Sequence, residues 1–287
     1  MLARKRRRSQ VAVNAAQPVN WGHPLNSGLL HWWGAVPNSG WQGGSLLRDA
    51  VRGTKSPLDG TLVNSPKWSF SQSGNTVRSL NFVGGSAQYV DCGVAIPAGS
   101  TNMTFCGWVY RASASDICVF GNYHSNTRFN ILLYSDGNIY FQAGNSGTAY
   151  GFIAFSATGW HHYALVYDGS LAAWARVIPY IDGVTSSWAG TAGTPDASIS
   201  SDNFRIGSEE NSTRYSTGNH ANTQIFSRTL TAASIRRIYR EGRLGNPNTL
   251  NWVGTKTYSF KAAAAAGGFK AAWAAGRTKR VIGSGVL

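Results

Sequence analysis

Eleven residues near the middle of the chain constrain its fold more than any others: Gly159-Trp160-His161-His162-Tyr163-Ala164-Leu165-Val166-Tyr167-Asp168-Gly169. Successive side chains of a strand point to opposite faces. Trp160, His162, Ala164 and Val166 therefore share one face, and His161, Tyr163, Leu165 and Tyr167 the other. Both faces are apolar enough to be buried, which suits a central strand in a layered β structure. The closing Asp-Gly is the residue pair that most favours a tight hairpin turn. A second strand ends the same way, at Tyr180-Ile181-Asp182-Gly183. Strand, excursion, strand and turn predict a two-sheet sandwich.

The rest of the chain agrees. Thirty-four glycines, many beside Asp, Asn or Ser, punctuate short apolar runs, while 43% hydrophobic residues supply a core. Strands are predicted at 28–33, 59–63, 103–111, 117–120, 128–134, 138–142, 176–181, 204–207 and 221–226, with a hairpin of 79–83 and 88–92 across Gly84-Gly85. Asp59, Asp136, Asp168 and Asp182 each precede Gly and read as turn formers. One helix stands out. Thr231 is a good N-cap for Ala232 to Glu241, Gly242 a natural stop, and Ile235, Ile238 and Tyr239 form one apolar face. Cys92, Cys106 and Cys118 are too few for a disulfide framework, and Cys92 and Cys106, inside strand-like runs, read as small core residues. The fold class expected is therefore all-β: a two-sheet antiparallel sandwich with one short C-terminal helix.

Net charge is +14, but it is unevenly placed. Arg4, Lys5, Arg6, Arg7 and Arg8 stand at one end and Lys261, Lys270, Arg277, Lys279 and Arg280 at the other, with no acid among either group. The other 16 of the 26 cations face all 12 acids. Residues 1–20 read as a basic flexible arm, 21–258 as one domain, and 259–287 as an Ala/Gly-rich basic tail. The Val11-Ala12-Val13 run is too short for a signal peptide's apolar region, and no run is long enough to span a membrane. Such arms suit phosphate contacts with nucleic acid, or docking on an acidic neighbouring subunit. The candidate anchors are Arg4, Lys5, Arg6, Arg7, Arg8, Lys270, Arg277, Lys279 and Arg280.

Taken in order, the strands resemble the laminin-G-like jelly-roll domains of the concanavalin-A-like lectin/glucanase superfamily. The series runs from Gly28-Leu29-Leu30-His31-Trp32-Trp33 through Leu80-Asn81-Phe82-Val83-Gly84, Phe105-Cys106-Gly107-Trp108-Val109 and the central motif to Ile225-Phe226-Ser227-Arg228-Thr229-Leu230-Thr231. It covers roughly residues 27–243. The resemblance implies two curved antiparallel sheets. It also implies a binding role without catalysis in most members, which include bacterial surface proteins and phage virion proteins. One departure stands out: members often carry an acidic pair where this chain has Asn219-His220-Ala221-Asn222-Thr223, so no ligand role tied to those acids carries over.

Chemistry is sparse in the sequence. Glycoside hydrolysis needs two carboxylates on one side of a cleft, and adjacent Glu209-Glu210 on a strand would point apart. His161-His162 face apart for the same reason and cannot share one ion. No catalytic or metal residue is therefore assigned, no enzyme is expected, and no cofactor beyond calcium at a loop rim through Asp116 or Asp202. Loop aromatics are the candidate ligand rim for a glycan: Trp174, Trp188, Tyr150, and Tyr215 beside Arg214. The expectation is a recognition or assembly module, a decoration or surface component of a phage virion or similar particle, partnered by protein in that particle or by its own copies. A stand-alone carbohydrate-binding lectin is the alternative, and a polysaccharide hydrolase the second.

Overall fold

The computed structural model of the chain describes residue 19 and residues 23–34, 44–51, 58–70, 78–124, 127–144, 149–199, 203–209 and 214–243. Its strands are β1 (Leu29–Trp33), β2 (Leu46–Leu47), β3 (Gly60–Val63), β4 (Lys67–Phe70), β5 (Arg78–Phe82), β6 (Tyr89–Val94), β7 (Asn102–Arg111) and β8 (Cys118–His124). They continue with β9 (Thr127–Leu133), β10 (Asn138–Gly144), β11 (Tyr150–Ala154), β12 (Gly159–Asp168), β13 (Val177–Ile181), β14 (Val184–Thr185), β15 (Gly190–Ala192), β16 (Asn203–Ile206) and β17 (Gly218–Phe226). One helix, α1 (Ala232–Arg243), follows. The eight-stranded sheet runs β14-β13-β12-β7-β17-β5-β4, with β1 also paired to β17. The nine-stranded sheet runs β15-β11-β10-β9-β8-β16-β6-β3-β2. Every pairing among the described residues is antiparallel.

The central motif is β12, paired with β7 from Gly159↔Arg111 to Asp168↔Asn102. Its two faces divide as the alternation requires. Tyr163, Leu165 and Tyr167 enter the core between the sheets beside Phe105, Phe120, Phe129, Phe141 and Phe204. Ala164 and Val166 enter a second cluster with Trp32, Cys106, Tyr180 and Phe226, roofed by Ile235 and Ile238 of α1. Burying each such aromatic or branched side chain stabilises the fold by roughly 1.5–3 kcal/mol. Thr231 caps the helix, its Oγ1 accepting from Ser234 N at 3.2 Å, and the helix runs past Gly242 to Arg243. Cys92 and Cys106 are buried free thiols, and burial pushes Cys106 up to about 12. Both behave as core residues; the side chain of Cys118 lies outside the described ones.

Three connections differ from the sequence reading. β5 and β6 are not a hairpin: β5 joins the eight-stranded sheet and β6 the nine-stranded one, so Gly84-Gly85 carries the chain across the sandwich. Asp168-Gly169 starts a turn, Leu171 N donating to Asp168 O at 3.2 Å, but it does not close a tight hairpin. Residues 169–176 intervene before β13 returns to pair with β12, and Asp168 Oδ1 instead accepts from Ser170 N. Asp59 is a clamp, accepting from Arg48 Nη1 at 2.6 Å and Asp49 N at 2.9 Å. Asp182-Gly183 does make the two-residue turn, with φ of 51° and 77° joining β13 to β14.

Two His–Asp pairs use one device to pin strands. Asp49 accepts from Trp32 N at 3.0 Å and meets His31 Nδ1 at 2.7 Å. Asp182 accepts from His162 N at 2.9 Å and meets His161 Nδ1 at 2.7 Å. His161 Nε2 also faces the Thr158 carbonyl at 3.2 Å, so both ring nitrogens have acceptors. The hydrogen bond to Asp182 raises the His161 pKa above its ordinary value despite partial burial. His162 points the other way, buried against Trp108 and Tyr239, and burial lowers it to about 4. These two histidines are scaffold, one hydrogen-bonded at both ring nitrogens and one buried.

Candidate functional site

The outer face of the nine-stranded sheet collects aromatic, amide and cationic side chains that the two cores do not use. Strand register puts Asn130, Gln142 and Tyr150 in one rank across β9, β10 and β11, and Leu132, Tyr140 and Phe152 in the next. The rings touch in series: Tyr140 lies 6.1 Å from Tyr134, 5.6 Å from Tyr150 and 5.7 Å from Phe152. Tyr140 Oη donates to Asp136 Oδ2 at 2.6 Å. That bond raises the Tyr140 pKa. Slight burial pushes Asp136 up, but the bonds from Tyr140 and Asn138 outweigh it and hold the carboxyl below its usual range.

Two amides sit at the floor of this face. Asn130 and Gln142 are 1% and 7% exposed, and Asn130 Nδ2 donates to the Asn122 carbonyl at 3.4 Å. Asn130 Oδ1 and Gln142 Oε1 have no donor among the described residues. An unmet buried acceptor costs about 1–3 kcal/mol, so the pair favours a ligand that brings hydroxyl or N–H donors. Gly121, opposite Asn130 in the register, has φ +142°, and a Cβ there would come within 2.4 Å of Asn130 Cα. The floor needs glycine at that point.

Two guanidinium groups stand over tyrosine rings at the margin. Arg214 lies 5.1 Å from the Tyr134 ring centre and its Nη1 donates to Glu209 Oε2 at 3.0 Å. Burial works against the charged Arg214, but Glu209 outweighs it and raises the pKa. Arg205 lies 4.6 Å from the Tyr89 ring centre, and Tyr89 is 6.4 Å from Tyr215. Cations fixed over aromatic faces are held in place.

Of the residues expected at a ligand rim, Tyr150, Arg214 and Tyr215 lie on or beside this face. Trp174 and Trp188 do not. They pack edge to face 5.4 Å apart against the intersheet core, Trp188 also 5.7 Å from Phe141, and Trp174 Nε1 donates to Gly193 O at 2.8 Å. They plug one end of the sandwich. Tyr134, Tyr140, Asn130 and Gln142 were missed in the sequence. Their signal was polar and aromatic residues alternating with apolar ones along 128–134 and 138–142. The basic anchors Arg4, Lys5, Arg6, Arg7, Arg8, Lys270, Arg277, Lys279 and Arg280 lie outside the described residues, as does Asp202. Asp116 Oδ2 accepts from Ala112 N at 3.0 Å and Ser113 N at 2.8 Å, closing its own turn. Among the described residues no three His, Cys, Asp or Glu side chains converge as metal ligands, and no helix is long and apolar enough to cross a membrane.

The profile of the Concanavalin A-like lectin/glucanases superfamily, in its laminin-G-like branch, matches residues 84–236, more than half of the chain. No curated protein matches the sequence. Among solved structures, a Trypanosoma rangeli sialidase in complex with sialic acid aligns with a TM-score of 0.52 at 16% identity, over 77% of this chain and 34% of that one. The same sialidase with the inhibitor DANA gives 0.53 at 14% identity, again over 77% and 34%. The receptor binding domain of botulinum neurotoxin mosaic serotype C/D gives 0.50 at 12% identity, over 78% and 55%. This chain thus spans about a third of the sialidase, and the likeness at these identities is one of fold. The expectation that the chain is no enzyme is corrected by these matches. Sialidases are enzymes, and the superfamily joins glucanases to lectins, so the fold gives no ground for excluding catalysis. The two-sheet jelly-roll is what sequence and structure share, and the chain belongs to the Concanavalin A-like lectin/glucanases superfamily.

Proposed function

We propose that this domain recognises a glycan across the outer face of its nine-stranded sheet. The observation that carries the reading is the pair Asn130 and Gln142, whose orphan acceptors share a strand rank with Tyr150 beside the rank of Tyr140 and Phe152. Sugar rings present apolar faces to aromatic side chains and hydroxyls to amides, the combination a specific pocket or platform needs. Arg214 and Arg205 add positive charge for an acidic sugar at the margin. A sialidase of this fold has been solved with sialic acid, which places sialylated glycans among the first probes. The test is a broad glycan array with the full chain, with and without calcium, followed by the Tyr140→Ala variant. The reading expects at least one glycan class bound by the native chain, with about tenfold weaker binding by the variant. Product analysis of each bound glycan reports whether binding is followed by turnover.

The finer reading, a surface recognition or particle-assembly role, rests on the arms. Five cations in residues 4–8 and five between 261 and 280 flank a nearly balanced body. Linked weak contacts of that kind raise the avidity of an anchored domain, whether the acidic surface is a neighbouring subunit or nucleic acid, and a phage virion or similar particle is the setting that uses both. Light scattering of the full chain against residues 21–258, at low and high salt, tests it. Assembly of the full chain alone supports the anchor; monomers in both remove it.

A further inference from the structure

The eight-stranded sheet carries a second, partly exposed row of side chains that the face proposed for glycan does not use. Helix α1 covers most of its outer side, and Tyr239 stacks on Trp108 at 5.5 Å and 19°. The next rank lies beyond that stack. Register aligns Trp160 on β12, Tyr110 on β7, Asn219 on β17, Asn81 on β5 and Lys67 on β4 in a single row across five adjacent strands. At the usual strand spacing the row is about 19 Å long.

Its composition differs from the surface under the helix, which is apolar. Trp160 and Tyr110 stand 5.7 Å apart with their planes at 51°, and Tyr110 is 36% exposed. Beside them a directional chain of hydrogen bonds fixes the amides. Asn81 Nδ2 donates to Asn219 Oδ1 at 2.8 Å, Asn219 Nδ2 to Ser79 Oγ at 3.0 Å, and Ser79 Oγ to Ser69 O at 3.4 Å. Lys67 ends the row, exposed. The aromatic pair is followed by oriented amides and one cation, so the row is polar along most of its length. It has the parts that bind a linear sugar polymer: tilted ring faces for successive pyranoses, then fixed donors and acceptors for their hydroxyls.

We propose that this row is a separate binding site for a linear polysaccharide, lying across the strands at the edge of helix α1. It does not rest on the reading of the nine-stranded face. The test is affinity electrophoresis of the full chain in gels containing xylan, mixed-linkage β-glucan or polygalacturonate, with Trp160→Ala, Asn81→Ala and Tyr140→Ala run beside it. Trp160 and Asn81 are both partly buried, so thermal unfolding checks both variants, and Asn81→Ala serves as the independent probe. Retention of the native chain by one polymer, weakened about tenfold by Trp160→Ala and severalfold by Asn81→Ala, supports the row. Retention that only Tyr140→Ala weakens overturns the row while leaving the other face standing. No retention by any of the three polymers overturns the row, and the glycan array then decides the other face separately.

Discussion

The two adjacent histidines of the central motif make opposite demands on pH. The charged form of His161 is held by Asp182 and the Thr158 carbonyl, and its pKa is raised. Its contribution is present in full below its ordinary value of 6.5 and is lost as pH rises through the folded pKa. His162 and His220 are buried neutral, and burial lowers them to about 4 and about 3. Between 6.5 and those values the unfolded chain binds protons that the folded chain refuses, so stability falls as pH falls. For His162 alone the loss by pH 4 is about 3 kcal/mol. Denaturation midpoints measured from pH 7 to 4 are expected to fall steadily. A His162→Gln variant is expected to show a shallower fall, and an equal slope would remove His162 from the explanation. At the site, Arg214→Ala strips both the cation over Tyr134 and the partner of buried Glu209. It should cost stability as well as binding, whereas Tyr150→Ala should affect binding far more than the unfolding midpoint.

At the scale of elements, alternation and turn chemistry carried the reading as far as local signals reach. The two buried faces of β12, the Thr231 cap and the Asp182-Gly183 turn were legible because each is decided by residues close in sequence. Thr231→Ala is expected to lower stability by about 1 kcal/mol, read as a shift in the denaturation midpoint. The partition of strands between sheets was not legible. Residues 78–94 look like a hairpin until long-range pairing sends β5 to β17 and β6 to β16. The site was half legible for the same reason. Arg214 and Tyr215 stood out in a loop, but the Asn130–Gln142 rank exists only once β9 and β10 are in register. Trp174 and Trp188 looked like loop aromatics and became a plug because Gly151 lets the Trp188 ring lie against it, where a Cβ would come within 2.7 Å. Trp188→Ala should therefore destabilise by about 2 kcal/mol without loss of glycan binding. Gly121→Ala should do both, because the Asn130 floor has to move.

The whole molecule is a scaffold with two cores and two outer faces of different chemistry. One core lies between the sheets and the other beneath helix α1, and neither takes in the tyrosine and amide side chains of the nine-stranded sheet's outer face. Superfamily membership is set by that architecture; what the chain binds is set by the side chains grafted onto it. The basic ends add charge, and their role is an assembly question separable from recognition. The central claim is that the tyrosine and amide face of the nine-stranded sheet binds glycan. The most direct measurement is a glycan array of the full chain beside folded Tyr140→Ala and Gln142→Ala variants. The account predicts a defined glycan class bound by the native chain and lost or weakened about tenfold in both variants. Binding that persists unchanged in both, or no glycan bound by the native chain with or without calcium, would contradict it.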